Sequence, residues 1–397
     1  MVKLLTRNIA EVLPSRESFE QRLKRGTIKI YFGVDPSGSV IHLGHAVVLW
    51  KLREFQDVGH KVVLLVGDFT GMIGDPTDRT AARKKLTRQQ VLENAKTYRE
   101  QISKILRFSG KNQVEIKFNS EWLAKLSMVE VVELASHLTA QQMLERDFFQ
   151  QRLKENKPIH LHEFLYPLLQ GYDSVVMDVD AEIGGTDQTF NMLIGRTLMK
   201  TLKRKEKFVI TVPLLEGLDG RKMSKSFNNF VAITDEPQEM FGKVMSLNDN
   251  LIITYFKLAT QIPDAEIQSI ESRVQLNEMS KMDAKKRLAW EIVKLYHGEK
   301  YANNARNEFE RVFQKRGGAP QQTPFQIEPG KWNITDALVK SGASPSRSDA
   351  KRIISSGGTA VVVGGETYHP TSPDQTIEIT ADTYIRVGKK RFVKPKE

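Results

Sequence analysis

Ile28, Ile30, Phe32 and Val34 fall on alternate positions of TIKIYFGVD, the period of a strand with one buried face. Val48, Leu52 and Phe55 then recur at helical spacing. KVVLLVGD is a short continuous apolar run, as expected of a strand buried on both faces, and FVITVPLL from Phe208 has the same character. Strand and helix alternate through residues 1–231. This predicts an α/β domain built on a doubly wound, Rossmann-like parallel sheet.

From Ala232 to Gln314 the period becomes helical. Ala284, Leu288, Ile292 and Leu295 share one face, with Lys285, Lys286 and Arg287 beside them. Residues 232–314 are therefore expected to form a helical domain. The stretch KRGGAPQQTPFQIEPG, residues 315–330, holds a glycine pair and three prolines and reads as a linker. Residues 331–397 predict a small α+β domain. Two short helices, Ile334–Ser341 and Ser346–Ser356, precede strands, and Gly364-Gly365 marks a hairpin turn between TAVVV and ETYHP.

A chain of 397 residues, 40% hydrophobic and 27% charged, suits two or three globular domains. No apolar run approaches the ~18 residues of a membrane span. The first residues lack an apolar core for secretion and carry Glu11, Glu17 and Glu20, which a mitochondrial transit peptide would avoid. The absence of cysteine excludes disulfides, thiolate zinc sites and a cysteine nucleophile, and fits a reducing cytoplasm. A formal charge of +11 favours a polyanionic partner such as nucleic acid. An ordinary basic enzyme surface would give the same count, so charge alone does not decide.

Two short motifs carry chemistry. His42-Leu43-Gly44-His45 follows the strand ending at Asp35 and opens a helix. A helix N-terminus offers unpaired N–H groups and a positive dipole to phosphates. Gly44 lets a flat adenine approach the backbone, and two imidazoles three residues apart can donate to phosphate oxygens. Lys222-Met223-Ser224-Lys225-Ser226 follows Asp219-Gly220-Arg221 in an expected loop, where two lysines could bracket a pyrophosphate. Each motif alone has a plainer reading, surface histidines or a solvated basic loop. Together, about 180 residues apart on an α/β frame, they resemble the paired signature of class I aminoacyl-tRNA synthetases.

Four segments resemble the tyrosyl-tRNA synthetases in particular: Tyr31 through Pro36, Gly71 through Pro76, Tyr166 through Asp173, and Gly184 through Gln188. That resemblance implies an enzyme that activates L-tyrosine with ATP–Mg²⁺ and esterifies it to tRNA(Tyr), with no structural metal of its own. It implies that Tyr31 and Asp173 recognise the phenol. Asp75, Tyr166 and Gln170 would hold the α-ammonium, and Gln188 the carboxylate. Gly33, Asp35, His42, Gly44, His45, Asp187, Lys222 and Lys225 would meet ATP. Thr70 and Asn119 match supporting positions, and Arg79 and Arg83 match a loop that engages pyrophosphate. His42, His45, Lys222, Lys225, Arg79 and Arg83 are thus the expected catalytic set. Glu182 stands where other members carry glutamine and is left out of the site. The residues agree independently: Tyr166, Gln170 and Asp173 are spaced to share one helix face, and a carboxylate facing a cavity needs a partner.

Arg347, Lys351 and Arg352 form a basic stripe on an expected helix, in a segment resembling a small RNA-binding fold shared with a ribosomal protein. The segment Met143–Leu153 resembles the family's subunit interface, and its Phe148-Phe149 pair is more than a monomer surface usually exposes, so a homodimer is expected; the alternative is that both rings are simply core. Two rivals stay open: a tryptophanyl-tRNA synthetase, and a non-catalytic RNA-binding protein on the same scaffold.

Overall fold

The computed structural model describes residues 2–75, 86–223, 227, 229–313, 325–364, 366–388 and 391–396. The chain divides into two compact units, Met1–Glu299 and Lys300–Glu397. The first is built on a six-stranded sheet: β1 (Glu11–Leu13), β2 (Lys29–Val34), β3 (Lys61–Val66), β4 (Glu115–Phe118), β5 (Ala181–Gly185) and β6 (Phe208–Val212). The spatial order is β1-β6-β5-β2-β3-β4. Only β1 runs antiparallel to its neighbour; the other pairings are parallel. The alternation at β2 and the apolar runs at β3 and β6 are thus strands, and the doubly wound reading holds. β3 and β6 are buried almost throughout, as the continuous runs require.

This order fixes where a ligand can sit. From β2 the chain proceeds outward to β3 and β4, whereas β5 and β6 build on the other side. The reversal lies between β2 and β5, and ligands bind beyond the carboxyl ends of strands at such a switch point. Helix α1 (Leu43–Asp57) follows β2. Helices α2 (Met128–Ser136), α3 (Asp147–Lys154) and α4 (Leu161–Met177) lie between β4 and β5, and α5 (Thr189–Leu198) follows β5.

α4 and α5 cross at two glycines. A Cβ on Gly171 would stand 3.0 Å from the Gly195 nitrogen, and one on Gly195 would stand 2.9 Å from the Ser174 hydroxyl oxygen. Only glycine at both points lets the helices approach this closely. The close crossing brings the inner face of α4, with Tyr166, Gln170 and Asp173, against the end of β5.

The helices from Pro237 to His297 belong to the first unit and do not separate from it as the expected boundary at residue 231 implied. Polar ties explain this: Trp50 Nε1 donates to the Tyr296 hydroxyl at 3.2 Å, Lys104 Nζ to the Ile233 carbonyl at 3.1 Å, and the Arg7 guanidinium to the Phe256 and Thr260 carbonyls at 3.1 and 2.9 Å. No helix among the described residues is long and apolar enough to cross a membrane.

The second unit carries a five-stranded sheet ordered β10-β9-β12-β13-β7 and a two-stranded one pairing β8 with β11. Its strands are β7 (Phe325–Ile327), β8 (Gly330–Asn333), β9 (Thr359–Val363), β10 (Glu366–Tyr368), β11 (Thr376–Ile379), β12 (Thr383–Val387) and β13 (Arg391–Pro395). Two helices, α6 (Ile334–Lys340) and α7 (Arg347–Ser355), lie where the sequence put them. β9 and β10 form the expected hairpin, with Gly364 at φ +57°. The linker is shorter than expected: Phe325–Ile327 is a strand that pairs in parallel with β13. Ile327, Ile334, Leu338, Ile354, Val361 and Ile385 share the core of this unit.

Phe148 and Phe149 are corrected by the structure. Both rings are buried within the chain itself, 4.4 Å apart, and Phe149 packs on Phe164 of α4. Burial inside one unit satisfies them, so they offer no surface to a second subunit. Exposed apolar side chains of this region include Leu153 at 48%, Met128, Val129 and Val132 on α2 at 76%, 75% and 61%, and Leu161 at 83%.

Candidate active site

Four carboxylates lie around β2 and β5, each with at least two donors among the described residues. Asp35 ends the turn after β2. Its oxygens accept from the Thr70 hydroxyl at 2.7 Å and the Tyr166 hydroxyl at 2.8 Å. Asp75 accepts from Arg146 Nη2 at 2.8 Å and Gln188 Nε2 at 2.7 Å. Asp173, on α4, accepts from Trp122 Nε1 at 2.8 Å and Asn119 Nδ2 at 3.2 Å. Glu182, in β5, accepts from Gln170 Nε2 at 3.1 Å and from the Lys207 ammonium. Asn119 also donates to Thr70 at 2.9 Å, which links the Asp35 and Asp173 clusters.

Burial shapes the charges. Asp173 is almost fully buried, and desolvation pushes its pKa well above the usual 3.8; Trp122 and Asn119 oppose that shift, while Glu182 and Asp35 add to it. Tyr166 is raised by burial and by Asp35 and Asp75, so it remains a hydroxyl donor. Tyr31 is raised by burial and by Glu182 and Asp173, and its hydroxyl meets the Ser174 hydroxyl at 2.9 Å. Ser174, which Tyr31 meets, is the neighbour of Asp173 on α4.

The residues expected to meet ATP form a second group. His42 stands at the N-terminus of α1; its backbone N–H donates to His45 Nδ1 at 3.3 Å, and the two rings lie 3.9 Å apart. A Cβ on Gly44 would stand 3.1 Å from the His42 ring and 3.5 Å from Met223 Sδ. The HLGH segment zips onto residues 231–233: Leu43 N–H donates to the Val231 carbonyl and Ile233 N–H to the Ile41 carbonyl, each at 3.0 Å. The two signature motifs therefore meet in space. Lys222 Nζ lies 3.2 Å from Asp187, half exposed. Gly33 faces outward near the end of β2. Lys225, Arg79 and Arg83 lie outside the described residues.

Gln170 bonds to Glu182, the residue left out of the expected site. Gln188 joins Asp75, and its carbonyl oxygen accepts from Asn191 at 3.0 Å. Trp122, Arg146, Ser174 and Lys207 were not found from the sequence. Trp122 lies three residues after Asn119, and a tryptophan N–H is a natural donor to a buried acid. Among the described residues, no cluster of three or more histidines or carboxylates could hold a metal ion.

In the second unit, Arg347, Lys351 and Arg352 all lie exposed on α7 and pair with Asp336, Asp374 and Asp349. Exposed pairs of this kind contribute about 0–1 kcal/mol, so exchanging each acid for a phosphate costs little.

Residues 23–314 match the family model described as tRNA synthetases class I (W and Y). The tyrosine–tRNA ligase of Thermotoga maritima is 45% identical over 392 residues, covering 98% of this chain and 96% of that protein. That of Haemophilus influenzae is 44% identical over 391 residues, covering 98% and 95%. Among solved structures, a C-terminally truncated mitochondrial tyrosyl-tRNA synthetase of Aspergillus nidulans superposes with a TM-score of 0.66 at 23% identity, covering 79% of this chain and 94% of that one. A tyrosyl-tRNA synthetase of Archaeoglobus fulgidus, complexed with L-tyrosine, gives 0.60 at 20%, covering 77% and 98%. At these identities the structural likeness shows the fold alone.

The raised pKa of Asp173 has a consequence for stability. Above the ordinary value of 3.8 the unfolded chain releases this proton while the folded one retains it, so the group costs folding stability as pH rises. Relative to wild type, Asp173→Asn should therefore gain stability with pH, by at most about 1.4 kcal/mol per pH unit. Thermal unfolding of both proteins across a pH series measures this; a constant difference would mean that Asp173 ionises normally when folded.

Proposed function

The chain belongs to the tyrosine–tRNA ligases, class I aminoacyl-tRNA synthetases, and on that premise we propose how its residues divide the work. The enzyme activates L-tyrosine with ATP and transfers it to tRNA(Tyr). In the first step a tyrosine carboxylate oxygen attacks the α-phosphorus of ATP, and the bond to pyrophosphate breaks. In the second, a terminal ribose hydroxyl of tRNA attacks the acyl carbon and AMP leaves. Magnesium enters on the nucleotide, as part of the substrate.

The observation that carries the residue-level reading is Asp173, a buried acid facing Tyr31 and held in place by Trp122 and Asn119. Two N–H donors orient its carboxylate and leave lone pairs for a phenolic O–H. Asp75 and the Gln170 carbonyl supply acceptors for the α-ammonium. Gln188 stands beside Asp75, where a substrate carboxylate would follow.

His42, His45, Lys222 and Lys225 act on the phosphates. None is a nucleophile, so acceleration comes from positioning and from charge aimed at the transition state. Proximity of the HLGH segment to Met223 supports this division. The second unit engages tRNA through the α7 stripe and its basic C-terminal strand, by phosphate contacts. The helices from Pro237 to His297 are assigned to the anticodon region by family resemblance. The chain works as a cytoplasmic homodimer, with the exposed apolar face of α2 supporting a subunit contact.

ATP–pyrophosphate exchange tests the active-site roles. Asp173→Ala should lower kcat/KM for tyrosine by about 10- to 100-fold and erode discrimination against phenylalanine. Lys222→Ala and His45→Ala should lower the adenylation rate with little change in tyrosine affinity. Selectivity intact in Asp173→Ala, or affinity and rate falling together in the other two, would refute the division of roles.

A chain ending near Lys315 should keep ATP–pyrophosphate exchange and lose most aminoacylation. Its tRNA binding should also show a shallower salt dependence than that of the full chain. Charging at the full-length rate would remove the second unit from tRNA capture.

Sedimentation at micromolar concentration should show a species of twice 45.2 kDa. Val129→Glu in α2 should shift it toward the monomer. A monomer in the unaltered protein would refute the subunit contact.

A further inference from the structure

Glu182 and Lys207 are an ion pair at 2% and 0% exposure, and the reaction as derived uses neither. Lys207 also donates to the Met192 carbonyl at 3.1 Å, and its ammonium lies 5.7 Å from the centre of the Tyr31 ring. Space for it comes from the helix crossing: a Cβ on Gly195 would stand 2.4 Å from the Lys207 nitrogen. Burial lowers the pKa of Lys207, and Glu182 opposes that shift. A buried pair of this kind is often no more stabilising than apolar side chains of the same volume. Stability is therefore a weak explanation for it.

Gln170 supplies a better one. Its amide nitrogen donates to Glu182, while its carbonyl oxygen is buried and has no hydrogen-bond partner among the described residues. An unsatisfied buried acceptor is costly unless a ligand supplies the donor. An amide can turn either end to a neutral neighbour such as a second glutamine. A carboxylate clamped by an ammonium only accepts, so the Gln170 NH₂ must face it and the carbonyl must face away.

We propose that the Glu182–Lys207 pair is a positioning device that fixes Gln170 with its carbonyl oxygen toward the α-ammonium of the amino-acid substrate. The pair thereby sets the site's demand for that ammonium, which ties residues of β5 and the start of β6 to substrate choice. This rests on the reading of Gln170 as an ammonium contact.

The test uses the full chain with Glu182→Gln and Lys207→Met combined, which removes both charges at similar volume. Two quantities are read: KM for tyrosine in ATP–pyrophosphate exchange, and the inhibition constant of 3-(4-hydroxyphenyl)propanoate, which lacks the ammonium. KM should rise about tenfold with kcat little changed, and the inhibition constant should stay at the wild-type value. Gln170→Ala should show the same selective loss, and adding it to the double variant should cost nothing further. An unchanged KM in the double variant, with Gln170→Ala still defective, would overturn the pair's role while sparing Gln170. Equal losses for both ligands would reduce the pair to a structural element. If Gln170→Ala left the two ligands in their wild-type ratio, the ammonium reading would fall, and the inference with it. Should the double variant not fold, Glu182→Gln alone is read by the same ratio, and an unchanged ratio there overturns the proposal equally.

Discussion

Like charges that must share a small volume are the constraint on which this fold turns. Asp35, Asp75, Asp173 and Glu182 are drawn together around β2 and β5, and a buried carboxylate there needs donors or a cation to hold it. The compensation is distributed over the chain. Thr70 comes from beyond β3, Asn119 and Trp122 from beyond β4, Arg146 from the start of α3, Tyr166 and Gln170 from α4, Gln188 from beyond β5, and Lys207 from the start of β6. Each carboxylate is therefore a knot between elements distant in sequence. Forming the cavity and assembling the sheet are one event. Among the donors named here, Arg146 and Lys207 carry positive charge.

The two helices behind the cavity make the arrangement possible. α4 carries Tyr166, Gln170, Asp173 and Ser174 on consecutive turns, and α5 lies close because Gly171 and Gly195 present no side chains at the crossing. The void left by Gly195 holds the Lys207 ammonium. A side chain there would push the lysine off Glu182 and, through Glu182, release Gln170. Packing and recognition thus share residues, which explains why so much polarity lies so deep in an otherwise apolar layer.

Much of this was legible in the sequence, and the parts that were not share a physical cause. Alternation at Ile28–Val34 and the apolar run at Lys61–Val66 declare strands because their periods are local. The spacing of Tyr166, Gln170 and Asp173 declares a shared helix face for the same reason. Lys207 gives no such signal. It stands in KRKEKF, which reads as a solvated charge run, and only the pairing of β5 with β6 brings it to Glu182. Trp122 and Arg146 are likewise recruited across 51 and 71 residues. Phe148 and Phe149 misled because an aromatic pair suits a core as well as an interface, and the deciding neighbour, Phe164, lies on another helix. β7 was hidden inside an expected linker because three residues are too few to show a period, and its partner β13 lies at the far end of the chain.

The contrast between the two halves of the site bears on how the reaction is driven. The amino-acid half is buried and cross-linked by donors in fixed positions. The nucleotide half is open, with Lys222 half exposed and held only by Asp187. A surface ion pair contributes about 1 kcal/mol or less, so a triphosphate can draw Lys222 from Asp187 at small cost. The rigid half can thus select the substrate before chemistry, whereas the open half can follow charge as it moves from the α-phosphate onto the leaving pyrophosphate. A lysine suits that task because its charge is compact and its stem flexible, and a guanidinium locked in a two-point contact would not follow the moving charge. Rigidity where identity is read and freedom where charge moves are both set by burial, and burial here is set by the order of the strands.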